Sequence, residues 1–201
     1  MRIKTEAKRR EILDAAAVEF RQRGYHETTI SHVATRMRSS KATIYNYFRS
    51  KGDLFGSMLA QAAAPVTETL LQTLNGETPL TDRLAAFARA YLRLHCSERS
   101  IAVQRLILVE KTELRSITQP LLNNSEINIW PYLTEILHDS QKQGLLQCGN
   151  YEEMARHLRA LLYGNLPARL LFGERDTFTD AEMDASADSA VRMFLAAYGS
   201  R

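Results

Sequence analysis

Little in this 201-residue chain offers covalent or metal chemistry. It has only two cysteines, Cys96 and Cys148, far apart in sequence. Two are too few for a disulfide framework, and their spacing does not suit zinc. They read as two reduced and mostly buried thiols; a redox-sensing pair would need exposure and a lowered pKa. Five histidines are scattered. His26-Glu27 opens as a zinc-protease motif would, but Ile30 stands where the second histidine is needed. No metal site is expected. There is no phosphate loop, nucleophile elbow or dinucleotide fingerprint, so neither an enzyme nor a cofactor is expected. No apolar run approaches the roughly 20 residues of a membrane span. Asp14 and Glu19 break the apolar segment after the basic start, and no small-residue cleavage site follows. A cytoplasmic protein with no membrane partner is the expectation.

What the chain has is helical period and lopsided charge. Its 45% apolar and 24% charged composition is ordinary for a globular protein. Residues 1–55 hold 12 Lys/Arg against 6 Asp/Glu, a net +6, and residues 56–201 hold 14 against 17, a net −3. A basic quarter on a slightly acidic remainder suits a chain in which only that quarter meets phosphate. A solvated basic face would give the same balance.

No segment shows convincing period-two alternation, and nearly every segment shows helical spacing. Ile12, Ala16 and Phe20 open a first helix that Gly24 closes. Thr28 or Thr29 caps a second, with Ile30, Val33, Ala34 and Met37 inward. Ser40 caps a third that runs to about Phe48, and a fourth runs from Ser50 or Lys51 to Asn75-Gly76 past Pro65. Thr81 or Asp82 caps the next, and an apolar run from Ile101 to Val109 follows. Pro120 and Pro131 interrupt the pattern, with a break at Asn123-Asn124-Ser125. A helix through Leu133, Ile136 and Leu137 ends at Gly144. Two long helices finish the chain, Tyr151 to Phe172 with a kink at Pro167, and Thr179 to Tyr198. The fold class is all-α, with about nine helices.

On a helical wheel Ile44 and Phe48 fall together and must pack inward. Ser40, Thr43, Asn46 and Tyr47 fall opposite, with Ala42 at the edge of that face and Tyr45 beside the core pair. This is how a helix-turn-helix presents its second helix to the DNA major groove. Asn can pair bidentately with adenine, Thr and Ser serve either donor or acceptor edges, and a Thr or Ala methyl meets a thymine methyl. Tyr45 and Tyr47 can reach phosphate with their hydroxyls. Lys41 adds charge at the groove edge. Lys51 and Thr29, at the starts of helices four and two, would add contacts where helix N-termini favour phosphate. Lys4, Lys8, Arg9 and Arg10 form a basic arm.

The run Gly24-Tyr25, Thr28-Thr29-Ile30, Val33-Ala34, Ser40-Lys41, Thr43-Ile44-Tyr45, Tyr47-Phe48, Ser50-Lys51 and Asp53-Leu54-Phe55 resembles the N-terminal domain of TetR-type bacterial transcriptional regulators. The likeness is ungapped over roughly residues 8–58. It implies a helix-turn-helix DNA-binding domain at residues 1–50 and a helical ligand-binding and dimerisation domain at 51–201. It further implies a homodimer on a near-palindromic double-stranded operator, and a small-molecule effector. In two places the chain departs from the family. Arg38 and Ser39 stand where the turn commonly has Gly then Val, and a left-handed Arg38 would cost about 1 kcal/mol. Arg38 can in return touch phosphate. Ala42 replaces the usual Gly and adds a methyl to the groove face.

In the C-terminal part, Met183, Ala187, Val191 and Phe194 form a stripe on the last helix. Leu158, Leu161, Leu162, Ala168 and Phe172 form one on the helix before it. A four-helix interface across a two-fold axis would bury both; alternatively both face their own core. Phe87, Tyr91, His95, Leu106, Trp130, Leu133 and Tyr163 are candidate walls of a pocket for an apolar or aromatic molecule. Plain core would use the same residues. The functional expectation is a ligand-responsive repressor; the rival is a helical dimeric ligand-binding or adaptor protein whose basic N-terminus binds protein or RNA.

Overall fold

The computed structural model describes residues 5–109 and 128–200. Among these are ten α-helices and no strand: α1 (Glu6–Glu27), α2 (Ile30–Arg36), α3 (Lys41–Tyr45), α4 (Lys51–Leu74), α5 (Leu80–His95), α6 (Glu98–Val109), α7 (Ile129–Lys142), α8 (Tyr151–Tyr163), α9 (Leu166–Leu171) and α10 (Asp180–Tyr198). None of them is long and apolar enough to cross a membrane. The chain divides into two compact units, one holding the described residues 5–65 and 106–109, the other holding 66–105 and 128–200. Pro120 and the Asn123-Asn124-Ser125 break lie outside the described residues.

In the first unit Thr5 caps α1, its hydroxyl accepting from the Lys8 N–H at 3.3 Å. Gly24, at φ 76°, breaks the helical path near its end, a backbone that only glycine adopts freely. Beyond it the buried Thr28 hydroxyl donates to the carbonyls of Glu19 and Gly24. Thr29 and His32 form a capping box that starts α2. Ile12, Leu13, Ala16, Phe20, Tyr25, Ile30, Val33, Ala34, Ile44, Phe48, Leu54 and Phe55 make one core. Phe20, Tyr25 and Phe55 meet ring to ring at its centre, with centroids 4.9–5.9 Å apart.

The second unit packs α5 against α10, and α8 against α7, α10 and α9. Its core includes Leu84, Phe87, Tyr91, Leu133, Leu158, Leu162, Ala187 and Phe194. Arg89 and Arg93 on α5 pair with Asp188 and Asp184 on α10 at 2.6 and 2.7 Å. The sequence expectations shift in three places. Helix α5 starts on Pro79 with no side-chain cap, not on Thr81 or Asp82. Pro131 sits in the first turn of α7, where a missing N–H costs nothing, so it interrupts no helix. The long helix from Tyr151 is broken, not kinked: α8 stops at Tyr163, Asn165 leaves the helical region (φ −100°, ψ −101°), and Pro167 becomes the second residue of α9. The proline ring collides with the turn before it, so the break falls just upstream of the ring.

Candidate nucleic-acid interface

Helices α2 and α3 are joined by a Schellman turn. Met37 caps α2, and the N–H groups of Arg38 and Ser39 return to the carbonyls of Thr35 (3.0 Å) and Ala34 (2.9 Å). Such a turn needs one left-handed residue. Arg38 takes that place at φ 50°, the only non-glycine residue with positive φ among those described. Ser40 then caps α3, accepting from the Thr43 N–H at 3.1 Å, and its hydroxyl lies 3.0 Å from that of Thr43. Regular α-helix ends at Tyr45, shorter than expected. The Tyr47 and Phe48 N–H groups both turn to the Ile44 carbonyl, which tightens the last turn.

Ile44 and Phe48 are buried, and the Arg9 guanidinium covers the Phe48 ring at 5.5 Å. Ser40, Lys41, Ala42, Tyr45 and Asn46 are exposed; Thr43 and Tyr47 are half-buried. The Tyr47 hydroxyl accepts from the Thr5 N–H at 3.1 Å, which ties the start of α1 to the end of the α3 turn. Arg38 and Thr29 are exposed as well, although the Thr29 hydroxyl is engaged with the His32 N–H. Lys51 departs from its expected role. Its ammonium donates to the carbonyls of Tyr25 and His26 at 3.0 and 3.1 Å and lies 4.4 Å from the Tyr25 ring centre. Those carbonyls are orphans of the end of α1, and a cation there is favoured by the helix dipole, so Lys51 closes α1 instead of reaching outward.

One support of this face escaped the sequence reading. Glu19 is buried and accepts from Arg23 at 2.8 Å and Arg36 at 2.6 Å, locking α2 onto α1. The hydrogen bonds from Arg23 and then Arg36 hold its carboxyl below the ordinary value of 4.5. The four-residue spacing of Glu19 and Arg23 was visible in sequence; the partner seventeen residues on was not.

In the second unit the expected ring residues do come together. Tyr91 lies 5.9 Å from Phe87, 5.4 Å from Trp130 and 4.1 Å from His95, and His95 lies 6.0 Å from Tyr163. Leu133 is fully buried among them, while the Leu106 side chain lies outside the described residues. The Tyr163 hydroxyl donates to Gln104. Burial, helped by the nearby Arg159 charge, pushes His95 down to about 4, and its Nδ1 is buried without a partner among the described residues. A cleft of about 460 Å³ opens between α7 and α8 beside Trp130. The sequence reading missed Arg159, whose guanidinium lies 5.4 Å from the centre of the Trp130 ring.

The proposed pairing stripe needs correction. Leu158, Leu162, Met183, Ala187, Val191 and Phe194 are buried in this single chain's own core; Leu161 and Ala168 are half-buried, and Phe172 is exposed. The outward line on α10 is Ala181, Ala185, Met193 and Ala197, all exposed.

Two family profiles match the chain. That of bacterial regulatory proteins of the tetR family covers residues 12–58, and that of the C-terminal domain of AefR-like transcriptional repressors covers residues 82–200. The fatty acid metabolism regulator protein of Bacillus subtilis (strain 168) is 23% identical over 63% of this chain and 59% of its own length. The HTH-type transcriptional regulator HbdR of Aromatoleum sp. (strain CIB) is 26% identical over 55% of this chain and 53% of its own. The chain thus spans between half and two thirds of these relatives' length. A solved TetR-family transcriptional regulator from Mesorhizobium loti MAFF303099 superposes with a TM-score of 0.85 at 25% identity, over 98% of this chain and 100% of that one.

Proposed function

Since this chain belongs to the tetR family of bacterial regulatory proteins, we propose that it is a cytoplasmic, ligand-responsive repressor that binds a near-palindromic operator as a dimer. Residues 1–50 read DNA, and residues 51–201 bind the effector and pair the subunits. One observation carries the reading: Ser40, Lys41, Ala42, Tyr45 and Asn46 are exposed on a turn of helix whose back, Ile44 and Phe48, is buried. In this reading Asn46 and Thr43 meet base edges, the Ala42 methyl meets a thymine methyl, and Tyr45, Tyr47, Arg38, Lys41 and Thr29 meet the backbone.

A dimer places two such segments about 35 Å apart, one helical turn of DNA. Its interface is the exposed small-residue line of α10 around Met193, with Phe172 available beyond it. The effector is an apolar or aromatic small molecule bound at the ring cluster of the second unit, and it releases DNA by favouring the DNA-incompetent state. A hundredfold release requires about 2.7 kcal/mol of differential affinity.

Titration of DNA binding against salt tests the proposal. One palindromic duplex should be preferred strongly over random DNA, with affinity falling steeply as salt rises. Equal affinity for all duplexes, or none, would instead favour an adaptor whose basic end binds protein or RNA.

A further inference from the structure

Four arginines of the second unit have carboxylate partners: Arg89, Arg93, Arg169 and Arg175. Arg156 and Arg159, one turn apart on α8, are exposed and form no salt bridge among the described residues. Arg159 has rings for company. It lies over the Trp130 face, and its positive charge acts on Tyr91, His95 and Tyr163. Arg159 hydrogen-bonds Tyr91, and burial keeps both Tyr91 and His95 neutral, so the groups behind the guanidinium are uncharged.

The cleft of about 460 Å³ opens at this point, with Trp130, Thr134 and Glu135 on the α7 side and Glu152, Arg156 and Arg159 on the α8 side. That volume is within the roughly 300–1,000 Å³ of small-molecule sites. An indole face accepts a flat aromatic surface. A guanidinium fork matches a carboxylate with two parallel hydrogen bonds, and stacking on the indole has already restricted its motion. Glu135 and Glu152 bring the formal charge of the lining to zero without pairing with either arginine among the described residues, so an anion is drawn by the Arg159 fork beside the indole, and a second negative charge meets the two carboxylates.

We infer that the cleft between α7 and α8 takes an aromatic monocarboxylate, its ring against Trp130 and its carboxylate on Arg159, with Arg156 one turn away. The inference rests on residues 51–201 being the effector-binding part and narrows the effector to an anion of one charge. A neutral aromatic gives the Arg159 fork no carboxylate to pair with. An aryl phosphate brings more negative charge against Glu135 and Glu152.

Trp130 is the sole tryptophan of the chain, so tryptophan fluorescence reports this cleft directly. The full chain is titrated with biphenyl-4-carboxylate, biphenyl-4-carboxamide and biphenyl-4-yl phosphate. The carboxylate should quench saturably and bind about tenfold tighter than either of the others, the discrimination of one charge-assisted pair. Arg159→Gln should bring the carboxylate to the level of the carboxamide without weakening the carboxamide. Arg156→Gln should cost the carboxylate only about threefold. Both side chains are exposed, so neither replacement opens the core. Equal affinities, a preference for the phosphate, or a carboxylate preference that survives Arg159→Gln would overturn the inference. The readout contains no DNA. Failure here with operator preference intact removes the ligand class and leaves the regulator; selective carboxylate binding in a protein that ignores operators supports the cleft and sinks the regulator.

Discussion

Arg38 holds a left-handed backbone that costs a residue with a Cβ about 1 kcal/mol. Arg38→Gly should therefore stabilise the chain by about 1 kcal/mol in urea unfolding, while lowering the salt slope of DNA binding by about one contact. A variant that gained no stability would mean the turn carries no strain. His95 makes a second single-residue prediction. Its folded value, about 4, lies below the ordinary 6.5, so the unfolded chain binds the extra proton across that interval. Stability should thus rise from pH 4 to 6.5 and be fully present above it. His95→Phe should flatten that rise in the pH dependence of the unfolding midpoint; an unchanged profile would contradict the burial of a neutral imidazole. Both residues were singled out by the sequence, Arg38 by its place in the turn and His95 as a candidate pocket wall. The loss of charge at His95 was not legible, because it depends on burial and on the Arg159 charge, both supplied by residues distant in sequence.

Among the elements, α1 ends on a side chain from α4. Lys51 donates to two terminal carbonyls, so Lys51→Met should lower the thermal stability by about 1 kcal/mol and leave the salt slope of DNA binding unchanged. A flattened slope with unchanged stability would return Lys51 to the phosphate surface. The sequence placed Lys51 correctly at the start of α4. It could not show that the bend at Gly24 brings the α1 carbonyls within reach. The helix-turn-helix itself was legible because its caps are local: Ser40 and Thr43 lie three residues apart, as do Thr29 and His32. The α8–α9 break was legible only as a disturbance near Pro167, since the point at which a helix yields depends on neighbours as well as on the ring.

At the scale of the whole molecule, helical period showed which faces of α8 and α10 are apolar but not which partner covers them. Leu158, Leu162, Ala187 and Phe194 turn out to be sealed by their own chain, and the exposed Met193 line is what remains for a second copy. Met193→Asp should leave the fold intact and yield monomers in sedimentation; an unchanged mass would move the interface elsewhere. DNA reading requires the α3 turn to present Thr43 and Asn46 to bases. Its most direct test is the base-preference profile of the protein and of Asn46→Ala, measured over a randomised pool of duplexes at fixed salt. Asn46→Ala should lose about 1–3 kcal/mol of discrimination at one position of each half-site and keep its preference elsewhere. A profile identical to that of the unaltered protein would contradict it.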